Sequence, residues 1–275
     1  MLSSISSLVT LALVLIPTSV QAHCSIALLK QVTDRYVAAQ TAGDVSGLNF
    51  SSTGVYTENF QPADIATGIL SQSLKIDNAH SIHDTSECST FTQLVVTDPT
   101  HPYVIGTQIR LPSHGGGGEI AKVETLVTDQ GDWLFNATGT LYWTQRENWY
   151  EIPKDQQDSR ETLRKAADAY LNKFTDNTVR VPFHFPCARL EGGIYTGTGS
   201  DTDTCDVGFP TGIPMLNRRY VIDQAYGAIN VMFNFGGPTH SPDSHLFRLE
   251  KSGIRYVHTM TVLKCNDLPE APCNA

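Results

Sequence analysis

The chain lacks a basic patch, a second long apolar run and the short signatures that fix a chemistry. Charged residues fill only 17% of its 275 positions, and 19 Lys and Arg against 28 Asp and Glu leave a net charge of −9. A surface of that sign repels phosphate backbones, and no dense Lys/Arg run offsets it, which argues against nucleic acid and against an anionic membrane surface. Beyond the N-terminus no stretch is long and apolar enough to cross a bilayer, so stable membrane insertion is not expected. There is no HExxH and no Cys/His spacing of the zinc-site kind, so no metal is expected. The glycine run Gly115–Gly118 is followed by neither GK[ST] nor a helix, so it is not a phosphate cradle. No GxSxG elbow appears, and nothing singles out a carboxylate pair for glycoside hydrolysis. No cofactor is expected.

What is present is a globular composition, 40% hydrophobic, behind an export signal. Leu8–Ile16 is apolar but too short to span, and Val20-Gln21-Ala22 places compact residues where a signal peptidase cuts. Residues 1–22 therefore read as a signal peptide, with an uncleaved anchor as the alternative because the segment lacks Lys and Arg. All six cysteines, Cys24, Cys88, Cys187, Cys205, Cys265 and Cys273, follow it, and in an oxidising compartment they imply up to three disulfides. Sequence does not decide the pairing. The nearest partners are favoured, Cys187 with Cys205 and Cys265 with Cys273, leaving Cys24 for Cys88. Sequons at Asn49 and Asn136 fit secretion and glycosylation.

Ser25–Gln40 and Ser159–Phe174 carry apolar residues at helical spacing, the first stopping near Gly43. A short helix is expected near Ala63–Gln72 in an otherwise loop-rich stretch. His80–Asp84, Phe91–Thr97, Tyr103–Leu111, Ile120–Thr128 and Trp133–Trp143 read as strands. Gln145–Gln157 is polar and reads as a boundary, and Val179–Met215 as a long stapled loop. Arg218–Gln224, Ala228–Phe235 and the hairpin Pro242–Val262, turning at Ser252-Gly253, return to strand.

The two halves match each other. Leu29, Lys30, Asp34 and Tyr36 answer to Leu163, Arg164, Asp168 and Tyr170, and Asn78 and Asp84 to Asn217 and Asp223. Gly54–Thr57 matches Gly193–Thr196, and the final hairpin matches Val123–Phe135 with turn glycines Gly253 and Gly131. This predicts an internal duplication: a first unit over 23–144, a linker over 145–158 and a second unit over 159–275. Each would be an α+β unit, a helix packed on a curved antiparallel sheet, the pair forming a pseudo-dimer within one chain.

Helix, loop and sheet ending in the hairpin PDSHLFRLEKSGIRYVHTM resemble the NTF2-like superfamily, which includes ketosteroid isomerases and SnoaL-type cyclases. The whole chain resembles secreted fungal proteins with two such units, some from natural-product clusters such as those making maleidrides. The resemblance implies two tandem cones, each around a pocket. It implies a cofactor-independent isomerase or cyclase, a dimerising cyclase being one form, acting on a small carbonyl or polyketide-derived metabolite. A secreted binding or interaction protein without chemistry is the alternative.

Such chemistry needs a base beside an acidic C–H and a donor for the enolate oxygen. Ketosteroid isomerase uses an Asp base with Tyr and protonated Asp donors. In the second half, Asp223, His245 or His258 is the candidate base. Tyr195, the other histidine or Arg189 would hold the enolate or a carboxylate. Alternation places His245 and His258 on the same apolar face of the hairpin. The plainer readings are core histidines, an Asp223 that caps a turn before Gly227, an Arg189–Glu191 surface pair and a core Tyr195. His80, Asp84 and Glu124 are the second-tier candidates in the first half.

Overall fold

A computed structural model describes residues 24–112, 116–236 and 240–263. Residues 1–22, expected to be a signal peptide, and the expected pair Cys265 and Cys273 lie outside the described residues.

The first helix, α1 (Ile26–Ala42), starts because the Ser25 side chain accepts from Leu28 N, and stops at Gly43, whose φ of 67° ends the turn. Strands β1 (Phe50–Glu58), β2 (Gln61–Pro62), β3 (Asn78–Asp84), β4 (Ser89–Val96), β5 (Tyr103–Arg110) and β6 (Ile120–Thr128) follow. After the short helix α2 (Ala137–Thr144) comes α3 (Arg160–Lys173), capped by Ser159, which accepts from Thr162 N. Strands β7 (Phe183–Glu191), β8 (Ile194–Tyr195), β9 (Met215–Asp223), β10 (Ala228–Phe235), β11 (Ser241–Glu250) and β12 (Gly253–Thr261) complete the chain.

The strands make two six-stranded sheets with the same order, β2-β1-β6-β5-β4-β3 and β8-β7-β12-β11-β10-β9. The fold is α+β, and the second half repeats the first element for element. The sheets are mixed rather than antiparallel, since β1 runs parallel to β6 and β7 to β12. Those two parallel strands fall in stretches whose sequence reads as loop. β7 carries Pro186 and Cys187 mid-strand, and proline is a poor strand signal. Trp133–Trp143 reads as strand from its aromatics, yet Ala137–Thr144 is helical because Asn136 Oδ1 accepts from Gly139 N. Near Ala63–Gln72 only a single 3₁₀ turn forms, Ile69–Ser71.

Two of the repeat matches also move. Tyr56 sits opposite Val123 and Arg189 opposite Val257 on the matching parallel pairs, so Tyr56 answers to Arg189, not to Tyr195. The hairpin matching β11–β12 is β5–β6, which Gly131 does not close.

Three apolar clusters hold the molecule. One joins α1 to the first sheet through Leu29, Val32, Tyr36 and Ile105. One joins α3 to the second through Leu163, Tyr170, Phe233 and Phe247. The third lies between the sheets, where Ile82, Phe91 and Leu126 meet Val221, Met232, Leu246 and Met260. The halves therefore pack sheet to sheet, with α1 and α3 outside and α2 against the seam.

Candidate functional site

The two hairpin histidines do not share a face. Leu249 pairs with Ile254 but Arg248 with Tyr256, so Arg255 is an extra residue in β12. A bulge of this kind shifts every later side chain by one position. His258 thus lies opposite Leu246, facing the other sheet, while His245 lies opposite Thr259, facing α3.

On the α3 side, rings close around His245: Phe233 at 5.1 Å, Tyr170 at 5.6 Å and Phe247 at 5.8 Å between centroids. His245 Nε2 is 3.4 Å from Asp243 Oδ1. Burial pushes the Asp243 carboxyl up to about 8, and burial with the Arg189 charge pushes His245 down to about 3. The pair is therefore a carboxylic acid beside a neutral imidazole near pH 7. Arg189 is not a surface group: it is 5% exposed, pairs with Glu191 and donates to Val207 O. In this aromatic packing it ties the stapled loop to the sheet.

Asp84 and Asp223 occupy matching ends of β3 and β9, and each reaches into the other half. Asp223 Oδ2 accepts from His83 N at 2.9 Å, and Asp84 Oδ2 accepts from Ile222 N at 3.0 Å. The remaining oxygens cap their own turns: Asp223 accepts from Ala225 N and Tyr226 N, and Asp84 from Ser86 N and Glu87 N. Arg160 adds two bonds to Asp84, at 2.6 and 2.7 Å. These carboxylates clamp the two sheets, their oxygens engaged by backbone donors and, for Asp84, by Arg160 as well.

His258 opens into a cleft of about 190 Å³ where polar groups from several elements meet, lined by Asn78, His80, Gln93, Thr144, Trp149 and Tyr150 among others. His258 Nε2 is 2.5 Å from Glu147 Oε2, and Nδ1 is 3.2 Å from Gln93 Oε1. Trp149 Nε1 donates to the same Glu147 Oε2 at 2.9 Å. Glu147 Oε1 is buried and has no hydrogen-bond partner among the described residues. Burial, then the Glu147 charge beside it, holds the Tyr195 phenol well above the ordinary range, so it is a neutral donor. The Tyr195 ring stacks on Trp143 at 4.0 Å and 8°. His80 tilts against Trp149 at 4.9 Å, and its Nε2 is likewise buried without a partner. Burial first, then His258, His83 and Arg248, lowers its pKa to about 4, which keeps it neutral.

The structure thus brings His258, Tyr195 and His80 together and leaves Asp223, Asp84, His245 and Arg189 elsewhere. Glu124 lies on the matching position of the first sheet, in ion pairs with Lys122 and Arg219. Sequence reading missed Glu147, Trp149 and Gln93. The available signal was that the polar boundary stretch carries Trp149, with Trp143 just ahead of it, on either side of the acid Glu147. The disulfides Cys24–Cys88 and Cys187–Cys205 are both formed, and Asn49 and Asn136 are exposed. Among the described residues, no helix is long and apolar enough to cross a membrane, and no cluster of metal-ligating residues is found.

A family model matches part of the chain. It is described as a domain of unknown function (DUF8021) and covers residues 156–261. The match begins just before α3 and ends with β12, so it spans the second repeat. No curated protein matches the chain.

Proposed function

We propose that the protein is a secretory-pathway isomerase or cyclase of the NTF2-like kind, acting on a small carbonyl compound, with its chemistry between the sheets rather than inside either unit. The observation that carries this reading is Glu147: a buried carboxylate with one oxygen held by His258 and Trp149 and the other without a partner among the described residues, beside His80 and the neutral phenol Tyr195, which is hydrogen-bonded to the same carboxylate. Glu147 Oε1 takes a proton from the carbon next to the carbonyl. The C–H pair becomes the new C=C bond, and the carbonyl pair moves to oxygen, where Tyr195 or His80 donates to the enolate. Return of the proton to a conjugated carbon gives an isomer. Attack of the enolate carbon on a second carbonyl re-forms the first C=O, and the new alkoxide takes the proton held by Glu147, giving a ring or a dimer. The two disulfides and exposed sequons support passage through an oxidising compartment.

A second reading is binding without chemistry. It is favoured by the engagement of both His258 nitrogens, which leaves that ring no free lone pair for a substrate. Purified oxidised protein incubated with an extract of a producing strain lacking the gene separates the two. A metabolite that turns into an isomer or dimer with wild type, but not with Glu147→Gln, supports the enzyme. A metabolite that co-purifies unchanged supports the binder, and turnover undiminished in Glu147→Gln overturns the assigned base.

A further inference from the structure

The groove matching the cleft has the opposite electrical character. Glu124 on β6 stands where His258 stands on β12, each one residue beyond a valine that pairs with β1 or β7. Arg219 on β9 stands where His80 stands on β3, four residues before the clamp aspartate. Glu124 Oε1 receives both Lys122 Nζ and Arg219 Nε at 3.0 Å. Arg110, cross-strand from Lys122, brings a third cation next to Arg219. Its own Nη2 is spent on Gln108 Oε1 and Tyr220 O.

Two cations therefore pair with one carboxylate and a third stands beside them, a surplus of positive charge in a chain of net charge −9. Arg219 Nη2 is buried with no hydrogen-bond partner among the described residues, and its guanidinium is held over the Phe60 ring at 4.2 Å. Glu124 Oε2 is likewise without a partner among them. The Lys122 side chain is 36% and that of Arg219 22% exposed, so the edge of the cluster is open to solvent while Arg219 Nη2 lies just beneath it. A fixed planar guanidinium, with Nη1 on Asn217 O and Nη2 without a partner among the described residues, flanked by two further cations, matches an oxyanion. The free Glu124 oxygen matches a hydroxyl on the same ligand.

We propose that this groove is an anion site for a small ligand bearing a phosphate or a pair of carboxylates, held by Arg219, Lys122 and Arg110. The proposal is independent of the chemistry assigned to Glu147. Inorganic phosphate and malonate are the probes, titrated calorimetrically into the full oxidised chain at low ionic strength, with sodium chloride of matched ionic strength as control. Saturable binding by either probe is expected, and the tighter one names the ligand class. Arg219→Gln should weaken it by at least about tenfold, the scale of losing a charge-assisted contact. Glu124→Gln should tighten it several-fold, because it removes the competing charge. The double variant Arg219→Gln with Glu124→Gln keeps the groove balanced if the single arginine variant misfolds, and should also lose binding. Chloride matching both probes, or affinity that survives the loss of Arg219, overturns the proposal, as does weaker binding by Glu124→Gln.

Discussion

The two grooves between the sheets are built on matching positions and do opposite things. In one, Arg219 and Glu124 form an ion pair under Phe60. In the other, histidines replace both partners, and the connecting stretch lays Glu147 and Trp149 across the gap. Duplication gives two copies of a scaffold, but a single connection between them can cover only one groove. The lesson is that asymmetry, not the repeat, marks the candidate site. It also explains why the chemistry-bearing acid has no counterpart within the repeated elements.

The sharpest break of that comparison is removal of the two acids in turn. Glu147→Gln should lower turnover by about 10²–10⁴-fold, the range for a positioned general base. Glu124→Gln should leave turnover within about twofold, since on the present assignment it touches no reacting group. Steady-state rates on the substrate found in the extract experiment decide this. Equal losses would mean that the grooves act together.

The clamps offer a comparison across the same pseudo-twofold. Asp84 and Asp223 make the same reciprocal backbone bonds, but only Asp84 is also held by Arg160. Asp84→Ala leaves Arg160 and buried N–H groups unpaired and should cost about 3 kcal/mol, at the low end for a broken buried pair because Arg160 is partly exposed. Asp223→Ala should cost about 1–3 kcal/mol, the scale of orphaned backbone donors. Urea melts of the two variants measure the difference, and equal midpoints would show that the arginine adds nothing.

Much of the architecture is legible from alternation and caps. Ser25, Gly43 and Ser159 bound their helices as written, and the strands with clear alternation appear within one to three residues. β1 and β7 are hidden because parallel strands lack the hairpin turn that announces a neighbour, and Pro186 argues against a strand. The site is hidden for a different reason. One unpaired residue, Arg255, moves His258 to the opposite face, and periodicity does not reveal a bulge before the pairing is known. Glu147 comes from a stretch whose polarity reads as solvent, although its side chain is 2% exposed.

The helix-covered faces differ in the same way, and pH separates them. Under α1, Tyr36 is satisfied by the Thr107 hydroxyl at 2.7 Å. The matching pair under α3 is Tyr170 with His245, next to the acid Asp243. Folding raises Asp243 from 3.8 to about 8, so its contribution is full below 3.8 and is lost as pH rises toward 8. Folding lowers His245 from 6.5 to about 3, so its contribution is full above 6.5 and is lost as pH falls toward 3. Between 3.8 and 6.5 the two slopes cancel. From 6.5 to 8 only Asp243 acts, and stability should fall by about 2 kcal/mol. Asp243→Asn should flatten that limb, and Thr107→Val should leave it unchanged. A limb that persists in Asp243→Asn places the titrating group elsewhere.

The smallest expected contrast is between the disulfides, one in each half. Cys24–Cys88 closes a loop of 64 residues and Cys187–Cys205 one of 18. If each acts by restricting the unfolded chain, the larger loop should contribute more by about 1 kcal/mol, from 1.5RT times the logarithm of the loop ratio. Replacing each pair by alanine and comparing urea midpoints tests this. The opposite order would mean that Cys187–Cys205 works mainly in the folded state. Its anchoring role supplies the reason. Asp203 O accepts from Cys187 N at 2.8 Å, and Arg189, two residues on, holds Val207 in the same loop. Loss of that bridge would then free the loop, and with it the aromatic ring of Phe209 that lies 5.0 Å from the Arg189 guanidinium. The charged cluster under α3 would become wet, and its alkaline limb would shrink together with the stability.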